Sequence, residues 1–529
     1  MARPYLITLA LVYSCAIGAQ PTFERFYQSG TSYTFDLIEL PGHNILTCMA
    51  VAHILDPEGS IEYSSAYHGG GTYLTQTLKA AGPNSFYFTT ATVAAECPFG
   101  DAALVYTVLG KMDSVGTTAT VNRYTPDPGY CSGLPGGLEI TEDLGAITWG
   151  RDKNFFALRV DETFQPIWAK RVARSGGFQF LKGLPGGDLL AGINMDTAGA
   201  VLARLDPNGN FIWSKSYIRP RGIVQDALIE SDDSFIITGS TDSTKLGLFT
   251  PLPASYQPKL FMMKLNGEGD VQWCKGYDSA PYNWPAYIAS KIKKTADGDY
   301  VVLATLGELG YNFEFRPFLM KTDLNGDTLW TQSLGRNGYS YGTNNLALLS
   351  DGGILFNGII YGDLPGGNTG MNYIFKSDAM GHLPCWEQDY SVQTLDLFPV
   401  DSSFTLIAED VSVTATPVFV QDTILDPDIF TVYDGCTFTT GVPSRVHGRA
   451  KPAVRPNPTP GRFTVEFQDP LMKDSYYSVY DTMGKLLFQR AAAHGQKTEE
   501  VDLTGYSKGT YVIRFTDKEG TCYERVVVE

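Results

Sequence analysis

The side chains able to do acid–base, nucleophilic or metal chemistry are scattered along the chain. Six histidines, His43, His53, His68, His382, His447 and His494, show neither HxH nor HxxxH spacing, so no element carries a metal-ligand pair. Eight cysteines include no CxxC pair, and a zinc site has no support. No GxSxG elbow presents a serine nucleophile and no P-loop cradles phosphates. Asp232-Asp233 and Glu499-Glu500, among 57 acidic residues, read as solvated turn charges. Asp323-Leu-Asn-Gly-Asp327 has the look of a calcium loop, but the distal Glu of that motif is missing and a hairpin turn explains it better. The sequence thus nominates no catalytic residue, no cofactor and no metal, and the reading leans away from an enzyme.

Cysteine chemistry depends on compartment. Residues 1–19 combine one early positive charge, the apolar run Tyr5–Tyr13 and small residues before Gln20, the pattern of a secretory signal peptide cut after Ala19. Val12-Tyr13-Ser14 before Cys15 is a poor lipobox. No other stretch is long and apolar enough to span a bilayer as a helix. In an oxidising compartment disulfides are the default use of paired cysteines. Removal of Cys15 leaves seven cysteines, an odd number. Cys385 and Cys436, which flank a strand-like segment, are the first candidate pair, with Cys97 and Cys131 second. The alternative for each is a small buried apolar residue.

The elements that would position any site are β. The chain of 529 residues holds 55 Gly and 30 Pro with 12% aromatic and only 18% charged residues, which favours all-β structure over helical bundles. Its formal charge of −17 excludes nucleic acid as a partner, since phosphate binding needs a basic surface. Residues 20–440 are repetitive. Asp161–Trp168, Asp206–Trp213, Asn266–Trp273 and Asp323–Trp330 each place Asp or Asn seven residues before Trp, and three of the four place Gly four before it. Fainter copies end at Tyr63, Thr120 and Trp386, so the aromatic positions are 45 to 60 residues apart, the length of a four-stranded propeller blade. Tyr63, Trp168, Trp213, Trp273, Trp330 and Trp386 are therefore read as structural aromatics filling one inter-blade position each. Seven blades are expected. An eighth is the alternative, built from Leu395–Ile407 and the lone N-terminal strand Phe23–Tyr27.

The composition shifts near Pro452. Residues 445–529 carry a net +2, leaving −19 on the rest. Gly441–Val454 reads as a linker, and 455–529 as an antiparallel sandwich. It contains Pro456-Asn457-Pro458-Thr-Pro-Gly461, then Asp481-Thr-Met-Gly484-Lys485, then Gly509-Thr-Tyr511, then a terminal apolar strand.

These four features resemble, in order, the type A C-terminal sorting domain of proteins exported by the type IX secretion system. The resemblance implies contact with that machinery, passage across the outer membrane, cleavage near the linker, and release or anchoring at the surface. The acidic terminal Glu529 departs from the usual ending. The Trp repeat resembles propeller-type repeats of secreted Bacteroidetes proteins and, more loosely, those of quinoprotein propellers. It lacks the latter's Cys-Cys dipeptide and the Ser-x-Asp-x-Gly-x-Thr-Trp turn of sialidases.

The expectation is an exported, non-enzymatic binding or adhesion propeller engaging a glycan or protein through the aromatic insertions 246–258, 280–285, 307–316 and 361–372. The alternative is a polysaccharide- or peptide-degrading hydrolase or lyase with convergent carboxylates or a metal in the propeller channel.

Overall fold

Each repeat begins as a hairpin problem that the sequence solves locally. In Asp206-Pro-Asn-Gly-Asn210 the Asp206 carboxylate accepts the backbone N–H groups of Asn208 (2.9 Å) and Asn210 (2.8 Å). The Gly209 N–H donates to Asp206 O at 2.9 Å, with Gly209 at φ +78°, a conformation Gly adopts without steric cost. The same carboxylate or amide clasp recurs at Asp56, Asp161, Asn266, Asp323 and Asp378. In the one strong copy without glycine, Phe164 takes the left-handed position at φ 62°. Its ring, fully buried, packs edge-on against Tyr87 at 4.9 Å.

The computed structural model describes residues 22–436 and 453–529, apart from 29–35, 41–43, 49–50, 69–73, 83, 94–104, 114–117, 127–134, 152–154, 173–175, 196–198, 218–221, 242–259, 279–285, 308–314, 337, 363, 365–369, 419–420, 428–429, 468–469, 471–474, 482–485, 493 and 518–519. The expected signal peptide and the Cys97/Cys131 pair lie outside the described residues, as does most of the expected linker. Contacts divide the chain into two units, 1–436 and 437–529. No helix in the described residues is long and apolar enough to cross a membrane.

Among the described residues the first unit is all-β, with seven five-stranded antiparallel sheets, consistent with propeller blades. In six of them four successive strands form a meander, as in 176–183, 189–195, 199–205 and 211–217. In the seventh, strands 340–348, 354–361 and 370–377 receive the N-terminal strand 23–28 as their fourth. The first strands of the sheets pack side by side: 36–39 on 74–82, then 135–140, 176–183, 222–229, 286–294 and 340–348, which packs back on 36–39. Adjacent sheets share apolar cores. Ile236, Leu260 and Met262 of one meet Ile292, Tyr300, Val302 and Phe318 of the next. The central strand 300–307, buried along its whole length, accounts for the unbroken apolar run Tyr300–Ala304.

The fifth strand of every sheet comes from one segment, 387–434. Strands 387–389, 393–396, 401–403, 408–410, 413–417, 421–425 and 431–434 pair in turn with the outer strands of the seven sheets, against chain order. This belt includes Leu395–Ile407, the segment considered for an eighth repeat. Its two ends meet in a disulfide between Cys385 and Cys436, with Cα atoms 5.4 Å apart.

The second unit has a three-stranded sheet (453–455, 462–466, 498–502) and a four-stranded one (486–491, 476–481, 509–517, 520–528). Phe463, Val465, Val479, Val501, Ile513, Phe515 and Val526 form its core.

Candidate functional site: the cavity between the inner strands

The aromatic positions read from the sequence fall on the outer side of each sheet, where one sheet meets the turn of the next. The indole N–H of Trp168 donates to Pro207 O at 2.9 Å, and that of Trp213 to Gly267 O at 3.2 Å. Trp168, Trp213, Trp273 and Trp330 lie against the turn glycines Gly209, Gly269, Gly326 and Gly381, close enough that a Cβ there would meet the rings. Tyr63 is partly buried against the core between its own sheet and the next. Trp386 stands elsewhere, at the head of the belt, its N–H on Gly435 O at 3.2 Å. Phe23 occupies the Trp-like place of the seventh sheet, against Gly59.

Two companions of the Trp escape a search for aromatics alone. Two residues on, Lys215 reaches Asp270 of the next turn (2.6 Å) and Asp401 of the belt (3.4 Å), and Lys275 reaches Asp327 (3.2 Å) and Asp396 (2.8 Å). Four residues on, the hydroxyls of Tyr217 and Tyr277 donate to Gly269 O and Gly326 O, both at 2.7 Å. Phe23-x-Arg25-x-Tyr27 repeats the pattern, with Arg25 paired to Asp434 (2.5 Å) and Tyr27 donating to Gly59 O (2.6 Å). The signal was a Trp-x-Lys-x-Tyr spacing inside the repeat. Its chemistry is structural throughout.

A different surface faces the middle of the ring of inner strands. There a cavity of about 280 Å3 is lined by residues of all seven first strands. Alternation along each strand turns Leu37, Leu78, Leu138, Leu181, Ile292 and Leu346 into the sheets, where they are buried. Their neighbours Asp36, Lys79, Glu139, Lys182, Lys291, Lys293 and Asn345 face the cavity. Six of the seven strands carry a register shift just upstream of that point. Such bulges re-aim side chains, and Gly136, Gln179, Gln225 and Asn344, the residues skipped in the register, line the cavity as well.

The charges around the cavity are unevenly satisfied. Asp36 accepts the N–H groups of Leu37 (3.1 Å) and Leu78 (3.0 Å) and the side-chain amide of Asn345. Asp226 pairs with Lys182 Nζ at 3.1 Å and accepts Ile292 N–H at 3.3 Å. Burial pushes the Asp226 carboxyl up, but Lys182, Lys291 and Lys293 outweigh it and hold the group well below the usual carboxylate range. Burial likewise opposes charge on Lys182, yet Asp226 and Glu139 raise its pKa above the ordinary lysine value. Lys293 goes the other way: burial, then the like charge of Lys79, lowers it. Among the described residues no carboxylate lies within ion-pair distance of Lys79, Lys291 or Lys293.

One aromatic side chain reaches this cavity from the second strand of its sheet. Trp149 lies across Gly136 and Gly137, where a Cβ on Gly137 would fall 2.1 Å from the indole. The ring is 6% exposed, and its N–H has no acceptor among the described residues. Unpaired buried donors cost free energy, about 1–3 kcal/mol each.

The insertions 246–258 and 280–285 and most of 307–316 lie outside the described residues. Exposed Tyr361 and buried Leu364 and Met371 are among the described part of 361–372. Glu24 lies within reach of Cys385 and Cys436, but those sulfurs are joined to each other, and Glu24 instead accepts the N–H groups of Cys385 (3.1 Å) and Trp386 (3.0 Å).

In the second unit, Pro456, Asn457 and Pro458 are exposed, and Asn457 Oδ1 accepts Val527 N–H at 2.9 Å, tying the opening motif to the last strand. Gly461 passes so close to Thr504 that a Cβ would lie 2.9 Å away. Gly509 starts the strand that carries the buried Tyr511, and Asp481 pairs with Tyr511 in the ladder. Gly484 and Lys485 lie outside the described residues.

Residues 453–529 match the family of secretion system C-terminal sorting domains. The protein is exported by type IX secretion to the cell surface or the extracellular space, and the domain implies contact with that machinery. No curated protein matches the chain. Among solved structures, a protein of unknown function from Bacteroides caccae is 10% identical with a TM-score of 0.33, covering 59% of this chain and 94% of its own. An engineered GH43 glycoside hydrolase, described as having endo-xylanase and exo-arabinofuranosidase activity, is 9% identical with a TM-score of 0.21, covering 77% of this chain and 96% of its own.

Proposed function

We propose that residues 22–436 form a closed seven-bladed propeller and that the exported protein is a non-enzymatic recognition module whose ligand enters the channel on its axis. The observation that carries this reading is the convergence of all seven first strands on one polar cavity. A packed structural axis needs no such set of charges, because buried charge is costly unless compensated. The expected Trp series serves inter-blade packing in this reading, and the motif Pro456, Asn457, Pro458, Gly461, Asp481, Gly484, Lys485, Gly509 and Tyr511 serves sorting. Removal of residues 1–19, and cleavage of the sorting unit near the linker, follow the export route.

The hydrolase alternative draws on Asp36, Glu139 and Asp226 in the same cavity. Two-carboxylate hydrolysis needs one acid that can hold a proton and a second free carboxylate. Asp36 is engaged by three donors, and Asp226 is kept ionised beside Lys182, which favours binding over turnover. The test is a glycan array and a hydrolysis assay on the full-length secreted protein, run beside Gln179→Trp, which fills the cavity from a bulged position. Binding without turnover that Q179W abolishes supports the reading. Turnover, or binding untouched by Q179W, overturns it.

A further inference from the structure

We propose that the channel cavity is an oxyanion site: it takes a small molecule through a carboxylate, sulfate or phosphate group held by Lys79, Lys291, Lys293 and the indole N–H of Trp149. The proposal rests on the channel being the binding site and adds the chemistry of what binds there.

Cations outnumber carboxylates at this point of the molecule by one, Lys79, Lys182, Lys291 and Lys293 against Asp36, Glu139 and Asp226. Residues 1–444 carry a net −19, yet four lysines converge on a cavity of about 280 Å3. One of them is neutralised, Lys182 by Asp226 at 3.1 Å. Asp36 spends its oxygens on Leu37, Leu78 and Asn345. The other three lysines face the space with no carboxylate of the described residues in ion-pair range, close enough that Lys79 disfavours the charge on Lys293. Trp149 adds a buried donor with no acceptor among the described residues, brought to the wall by Gly136 and Gly137; a side chain at Gly137 would collide with the ring.

Such an arrangement is costly while empty, since like charges repel and a buried N–H goes unbonded. A ligand bearing two or more acceptor oxygens and a negative charge relieves both. A cation would add to the repulsion between lysines, and a neutral sugar would leave the excess positive charge in place. The volume of about 280 Å3 lies just below the range usual for drug-sized ligands, which suits one acidic monosaccharide or a smaller anion.

The experiment uses the full-length protein at constant ionic strength, with sodium glucuronate, phosphate and sulfate as separate arms and chloride and glucose as controls. Calorimetric titration and the indole N–H resonance of Trp149, assigned by its loss in W149F, are the readouts. The expected result is saturable binding of one arm with movement of that resonance. The affinity should fall about tenfold or more in K79M and in K293M, the size expected when one charge-assisted hydrogen bond is lost. The arm that binds distinguishes a sugar acid from an inorganic anion. The resonance is read on the wild-type chain and does not depend on the lysine variants folding. No saturable binding in any arm overturns the proposal, as does binding equal in the wild type and both lysine variants. Binding of glucose alone, abolished by Q179W, overturns the anion while leaving the channel reading intact. Anion binding unchanged in Q179W removes both.

Discussion

At the outer edge of its sheet, Lys275 is clasped between Asp327 of the neighbouring turn and Asp396 of the belt. At the inner edge of the next sheet, Lys291 and Lys293 face a cavity, and no carboxylate of the described residues lies in ion-pair range of either. The outer arrangement recurs: Lys215 repeats the clasp, and Arg25 and Lys170 pair with belt Asp434 and Asp410 at 2.5 and 2.7 Å. The inner arrangement has no such fixed motif: three first strands offer lysine, two offer aspartate, and the others Gly-Leu-Glu or Thr-Asn-Asn. Repetition marks what holds the fold together, because every sheet needs the same joint. Departure from repetition marks what the molecule can recognise.

Four predictions sharpen that contrast, beginning with the outer edge. Replacing Cys385 and Cys436 together by Ala opens a loop of 51 residues, and loop-closure entropy puts the loss at about 4 kcal/mol. Denaturant unfolding under oxidising conditions measures it, and a loss below about 1 kcal/mol would mean that the belt constrains little.

Next come two buried groups of opposite sign. Burial raises Glu24 from 4.5 to about 7, so the folded state holds the extra proton between those values and stability falls as pH rises through them. Burial lowers His53 from 6.5 to about 4, so the folded state holds fewer protons there and stability falls as pH drops through that window. Each is worth about 3 kcal/mol, and the two nearly cancel between pH 4.5 and 6.5. Glu24→Gln should therefore make stability climb with pH from 4 to 6.5. His53→Asn should make it decline from 4.5 to 7. Melting curves in matched buffers decide, and parallel slopes in the two variants would refute the assignment.

Trp213→Ala should cost about 2–3 kcal/mol, because it strips the cover from Gly269 and leaves a void at the joint. Gly137→Ala is expected to displace the Trp149 ring and change its fluorescence, with a similar or smaller loss of stability.

Smallest is Lys275→Met. It keeps the apolar stem, removes two partly exposed ion pairs and should cost about 1 kcal/mol or less. The same change at Lys293 should leave stability level or raise it, because a repelled cation is removed. Equal losses at both positions would erase the distinction between the edges.

How much of this was legible in the sequence follows the same divide. The Asp-x-x-Gly turns and their Trp stood out because local chemistry fixes them at constant spacing, and the strand-like run 23–27 was visible though its partner was not. The belt was hidden. Its strands are three to five residues long, with Asp396, Asp401 and Asp410 exposed, too short and polar for a two-residue period to show. Leu395–Ile407 accordingly read as half a repeat. The cavity was hidden for another reason: a bulge shifts alternation by one residue, so Gln179 and Gln225 leave the face that simple alternation assigns them. Lys291-Ile-Lys293 could be read as alternating, but nothing in one strand says that six others meet it.

The Cys385–Cys436 bond also decides where mechanical load travels. The sorting unit continues the chain directly after Cys436, so tension drawn through it during passage across a membrane enters the first unit at that residue. With the sulfurs joined, the pull crosses to Cys385 and onward to the strand 370–377, and the seven short pairings between the two cysteines carry none of it. With the sulfurs reduced, the same pull acts first on 431–434 alone and can strip the belt from one sheet after another, each a ladder of only a few residues. The bond turns a zipper into a buckle.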